Sequence, residues 1–183
     1  MKLVAFVGKA RCGKDTAASH LNLEYGFARL AFADPLKRAA KEMFGLSFGQ
    51  TWGDDLKEVV IPRWNMTPRR MFQLLGTEAS KPFFGEDIWI KRLAMSYDVI
   101  KDTDDVIITD CRFDSEAEWI RANGGIIIEI RRGTTLQGEA ASHISEAGLR
   151  LPPDYVIDNT GTLDDLYTAI DLILAEIDGG LGC

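Results

Sequence analysis

Five short apolar runs recur along the chain: Leu3 to Val7, Phe27 to Ala33, Val106 to Thr109, Ile126 to Ile130 and Tyr155 to Ile157. They are continuous rather than alternating with polar residues, so they predict strands covered on both faces, and the helical patterns between them predict βαβ units. The expected fold is α/β, in three layers: a central parallel sheet of about five strands with helices on both faces. Helix starts and stops are legible. Asp34-Pro35 reads as an N-cap and first helical position, with Gly45 closing that helix after Met43 and Phe44. Thr67-Pro68 repeats the start signal, and Ser115 with Glu118 and Thr162 with Asp165 have capping-box spacing. Two stretches, Gly45 to Asn65 and Gly133 to Asp154, resist regular assignment and read as covers over a site.

Composition narrows the classes. A chain of 183 residues with 46% hydrophobic content can bury a full core without disulfides, and no repeat or linker divides it, so residues 1–183 are expected to form one domain. Lys and Arg number 21 against 28 Asp and Glu, a net charge of -7 that would repel a nucleic-acid polymer, so any phosphate binding must be local. Cys12, Cys111 and Cys183 lack metal-ligand spacing and read as free thiols of a reducing compartment. No apolar run approaches the roughly 20 residues that span a bilayer, and the first residues have no leader pattern, so a cytoplasmic protein without a membrane partner is expected. With only His20 and His143, a multi-histidine zinc site is excluded.

Directly after the first apolar run, Gly8-Lys9-Ala10-Arg11-Cys12-Gly13-Lys14-Asp15-Thr16 fits G-x-x-x-x-G-K and then departs from the usual Ser or Thr. Between a strand and a helix this pattern builds a phosphate cradle. Its backbone N–H groups, here including those of Arg11, Cys12 and Gly13, turn inward, the helix N-terminus adds its dipole, and Lys14 reaches the β and γ phosphates. The alternative is a glycine turn with an incidental lysine. Asp15 either holds magnesium or its water, or caps the helix while Thr16 takes another contact. Val106 to Asp110 is an apolar strand ending in a carboxylate, the form that orients magnesium through water. Arg112 lies two residues on, where it can reach a substrate phosphate or form a surface ion pair.

Further cations mark a second phosphate. Arg69 and Arg70 sit in the first turn of the helix opened by Thr67-Pro68, where they oppose the helix dipole and call for an anion; pairing with Asp54 or Asp55 is the alternative. Arg131 and Arg132 follow the fourth apolar run, at the strand edge where ligands gather in open α/β sheets. They are candidates for arginine fingers acting within one chain, against the alternative of a solvated basic loop. Trp89, with Phe83 and Phe84, flanks a helix beginning near Glu86 and either stacks on a base or belongs to the core.

The ordered set comprises Gly13-Lys14-Asp15-Thr16, Phe32-Ala33-Asp34-Pro35-Leu36-Lys37, Thr67-Pro68-Arg69-Arg70 and Gln73-Leu74-Leu75-Gly76-Thr77-Glu78. It continues with Asp110-Cys111-Arg112-Phe113, His143-Ile144-Ser145-Glu146 and Ile157-Asp158-Asn159-Thr160-Gly161-Thr162. Over most of the chain this resembles the phage-type deoxynucleoside monophosphate kinases, a branch of the P-loop kinases. The resemblance implies the P-loop NTPase fold, ATP with Mg2+, and conversion of a deoxynucleoside monophosphate to its diphosphate. It places Asp34, Arg69, Arg70 and Arg112 at the acceptor, with Lys37, Gln73, Ser145 and Glu146 in the same motifs as further contacts. It places Asn159, Gly161 and Thr162 at the adenine of ATP, and implies an acceptor region over 34–97 and a lid over 131–154. Lys14, Arg112, Arg131 and Arg132 would carry the charge of the transfer, and Asp15, Thr16 and Asp110 the metal. Asp114-Ser115 departs from the Pro-Asn that relatives often carry before the helix. A homodimer is compatible with the sequence, and for a phage-encoded chain the compartment would be the host cytoplasm. A kinase for another phosphorylated metabolite, such as dephospho-coenzyme A or phosphomevalonate, would reuse the same scaffold. A GTP switch would want N-K-x-D, which is absent.

Overall fold

The computed structural model describes residues 1–133 and 149–180. Strands β1 (Leu3–Val7), β2 (Ala28–Leu30), β3 (Val106–Ile108), β4 (Ile126–Arg131) and β5 (Tyr155–Asp158) form one sheet in the order β2-β3-β1-β4-β5, and every pairing is parallel. The helices are α1 (Lys14–Tyr25), α2 (Asp34–Phe44), α3 (Phe48–Trp52), α4 (Pro68–Gln73), α5 (Ser80–Phe84), α6 (Ile88–Ile100), α7 (Asp114–Ala122) and α8 (Leu163–Gly180), with a π-helical segment, Leu74–Ala79, between α4 and α5.

Period-two alternation in the strands sorts the core into two layers. Val4, Phe6, Ile107, Ile128 and Ile130 face α1 and α8, meeting Ala17, Ala18, Leu21, Leu166 and Ile170. Leu3, Ala5, Val7, Val106, Ile108 and Ile127 face the other way, against Leu93 and Tyr97 of α6 and Ala117 and Ile120 of α7. A smaller cluster of Ala40, Leu46 and Met71 joins α2 to α4 beside the sheet. Parallel pairing puts all five strand ends at one edge, so the loops that follow them share one space.

The expected elements shift in detail. The second run yields only three strand residues, because the chain turns at Ala31 and begins α2 at Asp34, whose N-cap is Ala33 and not Asp34. Thr67 caps α4 through its side chain to the Arg70 N–H at 3.2 Å, as its sequence signal predicts. Helix α7 starts one residue before Ser115, and its capping carboxylate is Glu116, not Glu118. Thr162 and Asp165 do form a reciprocal box, with bonds of 2.8 and 3.2 Å. Within the stretch expected to be irregular, Ser47 and Gln50 cap the short helix α3 with a full box.

Ile170 is fully buried between α8 and the sheet. Ile170→Ala should lower unfolding free energy by about 2–5 kcal/mol, measured by urea denaturation with an unchanged m-value.

Candidate active site

The loop after β1 turns on two glycines. Gly8 has φ 136° and Gly13 φ 112°, and a Cβ on Gly8 would stand 2.3 Å from the Ile130 carbonyl oxygen. The loop is pinned from β5's end: the Asn159 side-chain amide donates to the Cys12 carbonyl at 2.8 Å, while its own backbone N–H donates to Arg131 at 2.8 Å. The Cys12 thiol is buried under the loop, so its role here is packing. Lys14 closes the ring from inside, its ammonium donating to the carbonyls of Gly8 at 2.7 Å and Lys9 at 2.8 Å.

Beside this loop opens a cleft of about 670 Å³ lined by α1, the β2–α2 turn, α3, α4, the π-helical segment, α6 and the β3–α7 loop. Asp110, at the end of β3, fixes one wall: its two carboxylate oxygens accept the N–H groups of Phe32 and Ala33, each at 2.8 Å. That turn carries Asp34 and Lys37 into the cleft. Burial pushes the Asp34 carboxyl above its usual range, with Lys37 opposing, and burial pushes the Lys37 ammonium below its own, with Asp110 opposing. Lys37 also lies over the Trp52 ring, 5.1 Å from its centroid.

The structure brings Arg11, Lys14, Asp15, Asp34, Lys37, Arg69, Gln73, Trp89, Asp110 and Arg112 to this one cleft. Thr16 and Arg70 are not in its lining. Arg69 and Arg70 differ because successive helical residues point about 100° apart. Arg69 faces the cleft and pairs with Glu58, whereas Arg70 turns to Glu78, with nitrogen-to-oxygen distances of 2.6 and 3.4 Å. Asp54, foreseen as a partner of the arginines, pairs with Lys57 at 3.1 Å. Trp89 lines the cleft with its indole N–H already bonded to the Gly76 carbonyl at 2.7 Å.

Arg131 folds back on Glu129 of its own strand, at 2.7 and 3.0 Å, and Arg132 is exposed. Asn159 and Gly161 line a second groove of about 340 Å³ between β5 and α8, and the Thr162 hydroxyl donates to Asp165 at 2.8 Å. Ser145 and Glu146, like His143 and Cys183, lie outside the described residues.

Three further cleft residues escaped the sequence patterns. Arg29 reaches from β2 to pair with Asp15 and lies 3.4 Å from the Thr109 hydroxyl. Lys57 sits in the stretch that looked irregular. Glu116 is buried and accepts the N–H groups of Arg112 at 2.7 Å and Phe113 at 3.1 Å, which sets the course of the chain at Arg112. Burial lifts its carboxyl to about 7 against the pull of those two N–H groups. Behind it Lys81, also buried, lies 3.8 Å over the Phe113 ring. A strand position, a loop lysine and a helix-cap carboxylate carry no motif, so only spacing in three dimensions finds them.

Asp15, exposed in the first turn of α1, and Asp110 both line the cleft that holds Lys14, and one or two carboxylates with substrate phosphates are what a hard divalent cation such as Mg2+ takes. Among the described residues no helix is long and apolar enough to cross a membrane.

Residues 46–170 match the family model described as deoxynucleotide monophosphate kinase, a span that begins after the lysine loop. A chain of Acanthamoeba polyphaga mimivirus, provisionally named as such a kinase, is 35% identical over 184 residues, covering 93% of this chain and 94% of its own. The deoxynucleotide monophosphate kinases of Escherichia phage RB69 and Enterobacteria phage T4 are 39% identical over 109 residues and 33% over 119. Those alignments cover 58% and 63% of this chain, but only 44% and 48% of the phage proteins. A family match over two thirds of the sequence, joined to a relative that aligns with nearly all of it, shows that this chain belongs to the deoxynucleotide monophosphate kinase family and phosphorylates deoxynucleoside monophosphates, with ATP and a divalent metal as that family implies.

Proposed function

We propose that the 670 Å³ cleft is where the deoxynucleoside monophosphate meets the γ-phosphate of ATP, and that the chain serves DNA precursor synthesis with Mg2+ as its metal. The observation that carries this reading is the concentration of Lys14, Arg29, Lys37, Lys57, Arg69 and Arg112 around one cleft in a chain of net charge -7. Cations gathered against a negative whole have a local cause, and two phosphate groups supply it. The phage and mimivirus relatives support a place in the cytoplasm of an infected cell.

Arg11 to Thr16 would hold the donor phosphates by backbone N–H groups and the α1 dipole, with Lys14 leaving the Gly8 and Lys9 carbonyls for the β and γ oxygens. Asn159, Gly161 and Thr162 would border the adenine, Asn159 by fixing the loop beneath it. Asp15, with Asp110 acting through water, would hold Mg2+, which would supply positive charge to offset that of the phosphates. The Thr16 position, outside the cleft lining, favours Asp15 over Thr16 for that contact. Arg29 would then exchange Asp15 for a phosphate oxygen.

The acceptor region, residues 34–97, would bind the monophosphate through Lys37 and Arg69, with Arg112 joining from the loop after β3. Its phosphate is already an anionic nucleophile near neutral pH, so no side chain need remove a proton, and the transfer reduces to positioning and charge stabilisation. Arg131 and Arg132 are further candidates for that charge, and Arg131 must first release Glu129.

A coupled ADP-release assay with ATP, Mg2+ and a panel of ribo- and deoxyribonucleoside monophosphates tests the reaction. Turnover is expected with at least one deoxy acceptor, and none with Lys14→Ala, whose fold should persist by circular dichroism. Silence of the wild type across the panel would remove the proposed site.

The two neighbouring arginines separate binding from structure. Arg69→Ala should raise the acceptor Michaelis constant about ten- to a hundredfold, the worth of one hydrogen bond to a charged group, with little change for ATP. Arg70→Ala removes a half-exposed pair with Glu78, so the acceptor constant should hold and stability should fall by no more than about 1 kcal/mol. Thermal unfolding paired with both Michaelis constants reads the difference.

Glu116 gives a pH test. Its folded value of about 7 lies above the ordinary 4.5, so the folded chain binds this proton more tightly than the unfolded one. The stabilisation is complete below about 4.5 and is lost as pH rises through about 7, up to about 3 kcal/mol in all. Glu116→Gln should abolish that slope in urea unfolding measured from pH 5 to 8.

A further inference from the structure

Gln73 stands apart from the other polar groups of the cleft. Its side-chain nitrogen Nε2 is buried and has no hydrogen-bond partner, and no described residue bonds its oxygen. A buried amide donor left unpaired is destabilising. A ligand in the cleft that pairs with this amide would relieve that penalty. Two neighbouring polar groups are engaged: the Trp89 indole N–H holds the Gly76 carbonyl, and Glu116 holds the Arg112 and Phe113 N–H groups.

Its position relative to Arg69 says which part of a ligand it meets. Both lie on α4, four residues apart and hence on one face, and both line the cleft. The separation along the axis is about 6 Å at 1.5 Å per residue, on the scale of the distance from a nucleotide's phosphate to its base. The Arg69 N–H bonds the Lys57 carbonyl at 3.1 Å, and Lys37 lines the same cleft; Phe72 beside Gln73, Trp89 bonded to Gly76, and Phe113 add aromatic lining, which suits a planar base.

We infer that Gln73 is the group that reads the base of the acceptor nucleotide, its amide pairing with an edge that presents a donor beside an acceptor. This rests on the cleft being the acceptor site. Each of the four DNA bases offers such a pair on its pairing edge. A glutamine amide also presents one donor end and one acceptor end of nearly equal shape. Nothing among the described residues pins it, so a half-turn about its last torsion lets the same side chain serve keto bases in one orientation and amino bases in the other. Discrimination between bases at this contact is therefore weak by construction, and a substitution that fixes the chemistry of both ends should create a preference.

The test uses Gln73→Met, similar in shape without polar ends, and Gln73→Glu, whose ionised end only accepts. Each is assayed with dAMP, dCMP, dGMP and dTMP, and the inhibition constant of 2-deoxyribose 5-phosphate, which has the sugar and phosphate but no base, is measured on the same preparations. Gln73→Met should lower kcat/KM about ten- to a hundredfold for each nucleotide the wild type accepts, the worth of one to two lost hydrogen bonds. The Michaelis constant for ATP and the inhibition constant of the sugar phosphate should not move. Gln73→Glu should shift preference toward dGMP, since guanine alone presents two adjacent N–H donors, N1 and N2, on its pairing edge. An equal weakening of the sugar phosphate would put Gln73 at the phosphate or in the wall of the cleft, and unchanged kcat/KM for all four nucleotides would remove the contact; either overturns the inference. A wild type inactive on all four would instead remove the acceptor site on which it rests.

Discussion

The two oxygens of Asp110 hold the N–H groups of Phe32 and Ala33, and the geometry of the cleft depends on that clamp. Parallel pairing leaves every strand end at one edge with unsatisfied backbone groups, and the turns leaving them must be fixed by something other than the sheet. Between β2 and β3 the carboxylate does this. It sets where α2 begins, and so where Asp34 and Lys37 enter the cleft. The same residue completes the line of acidic groups beside the lysine loop, so an Asp110 substitution would disturb scaffold and chemistry together.

Asn159 plays the matching part on the other side of β1. Its amide reaches the Cys12 carbonyl, and a Cβ on Gly13 would come within 2.6 Å of that amide nitrogen. The loop therefore keeps its inward-facing shape by contact with β5's end as well as by its own glycines. Lys14 bonds to the carbonyls of the same loop, backbone oxygens its ammonium would leave on binding phosphate. Binding then replaces neutral acceptors with charged ones, a stronger class of hydrogen bond.

The cleft holds more positive charge than its own carboxylates fully balance, and its side chains register this. Lys37 is pushed toward neutrality by burial, aided by the neighbouring Lys57. Among the described residues Arg29 pairs with Asp15, Arg69 with Glu58 and Lys57 with Asp54. The exposed Arg29–Asp15 pair contributes little to stability, so a phosphate could take its place at small cost. The site thus includes cations with resting carboxylate partners, while the core that positions them is held by dense apolar packing on both faces of the sheet.

The parallel α/β fold and the lysine loop were written in the sequence because both depend on local patterns: continuous apolar strands, and glycines flanking a strand-to-helix turn. The cleft residues Arg69 and Arg112 were legible for the same reason, each lying beside a cap or strand-end signal, and Lys37 through the family resemblance. Other features were decided only by tertiary packing. Arg69 and Arg70 are adjacent in sequence, and the rotation of α4 against the sheet alone sends one into the cleft and the other to Glu78. Arg29 and Lys57 join the site from a short strand and a loop with no motif, and Glu116, in place of the expected Glu118, caps α7 where burial raises its proton affinity. The unpaired amide of Gln73 was not visible either. A hydrogen bond left unmade is a property of what surrounds a side chain, and the surroundings exist only once helix, π-turn and strand ends have been brought together.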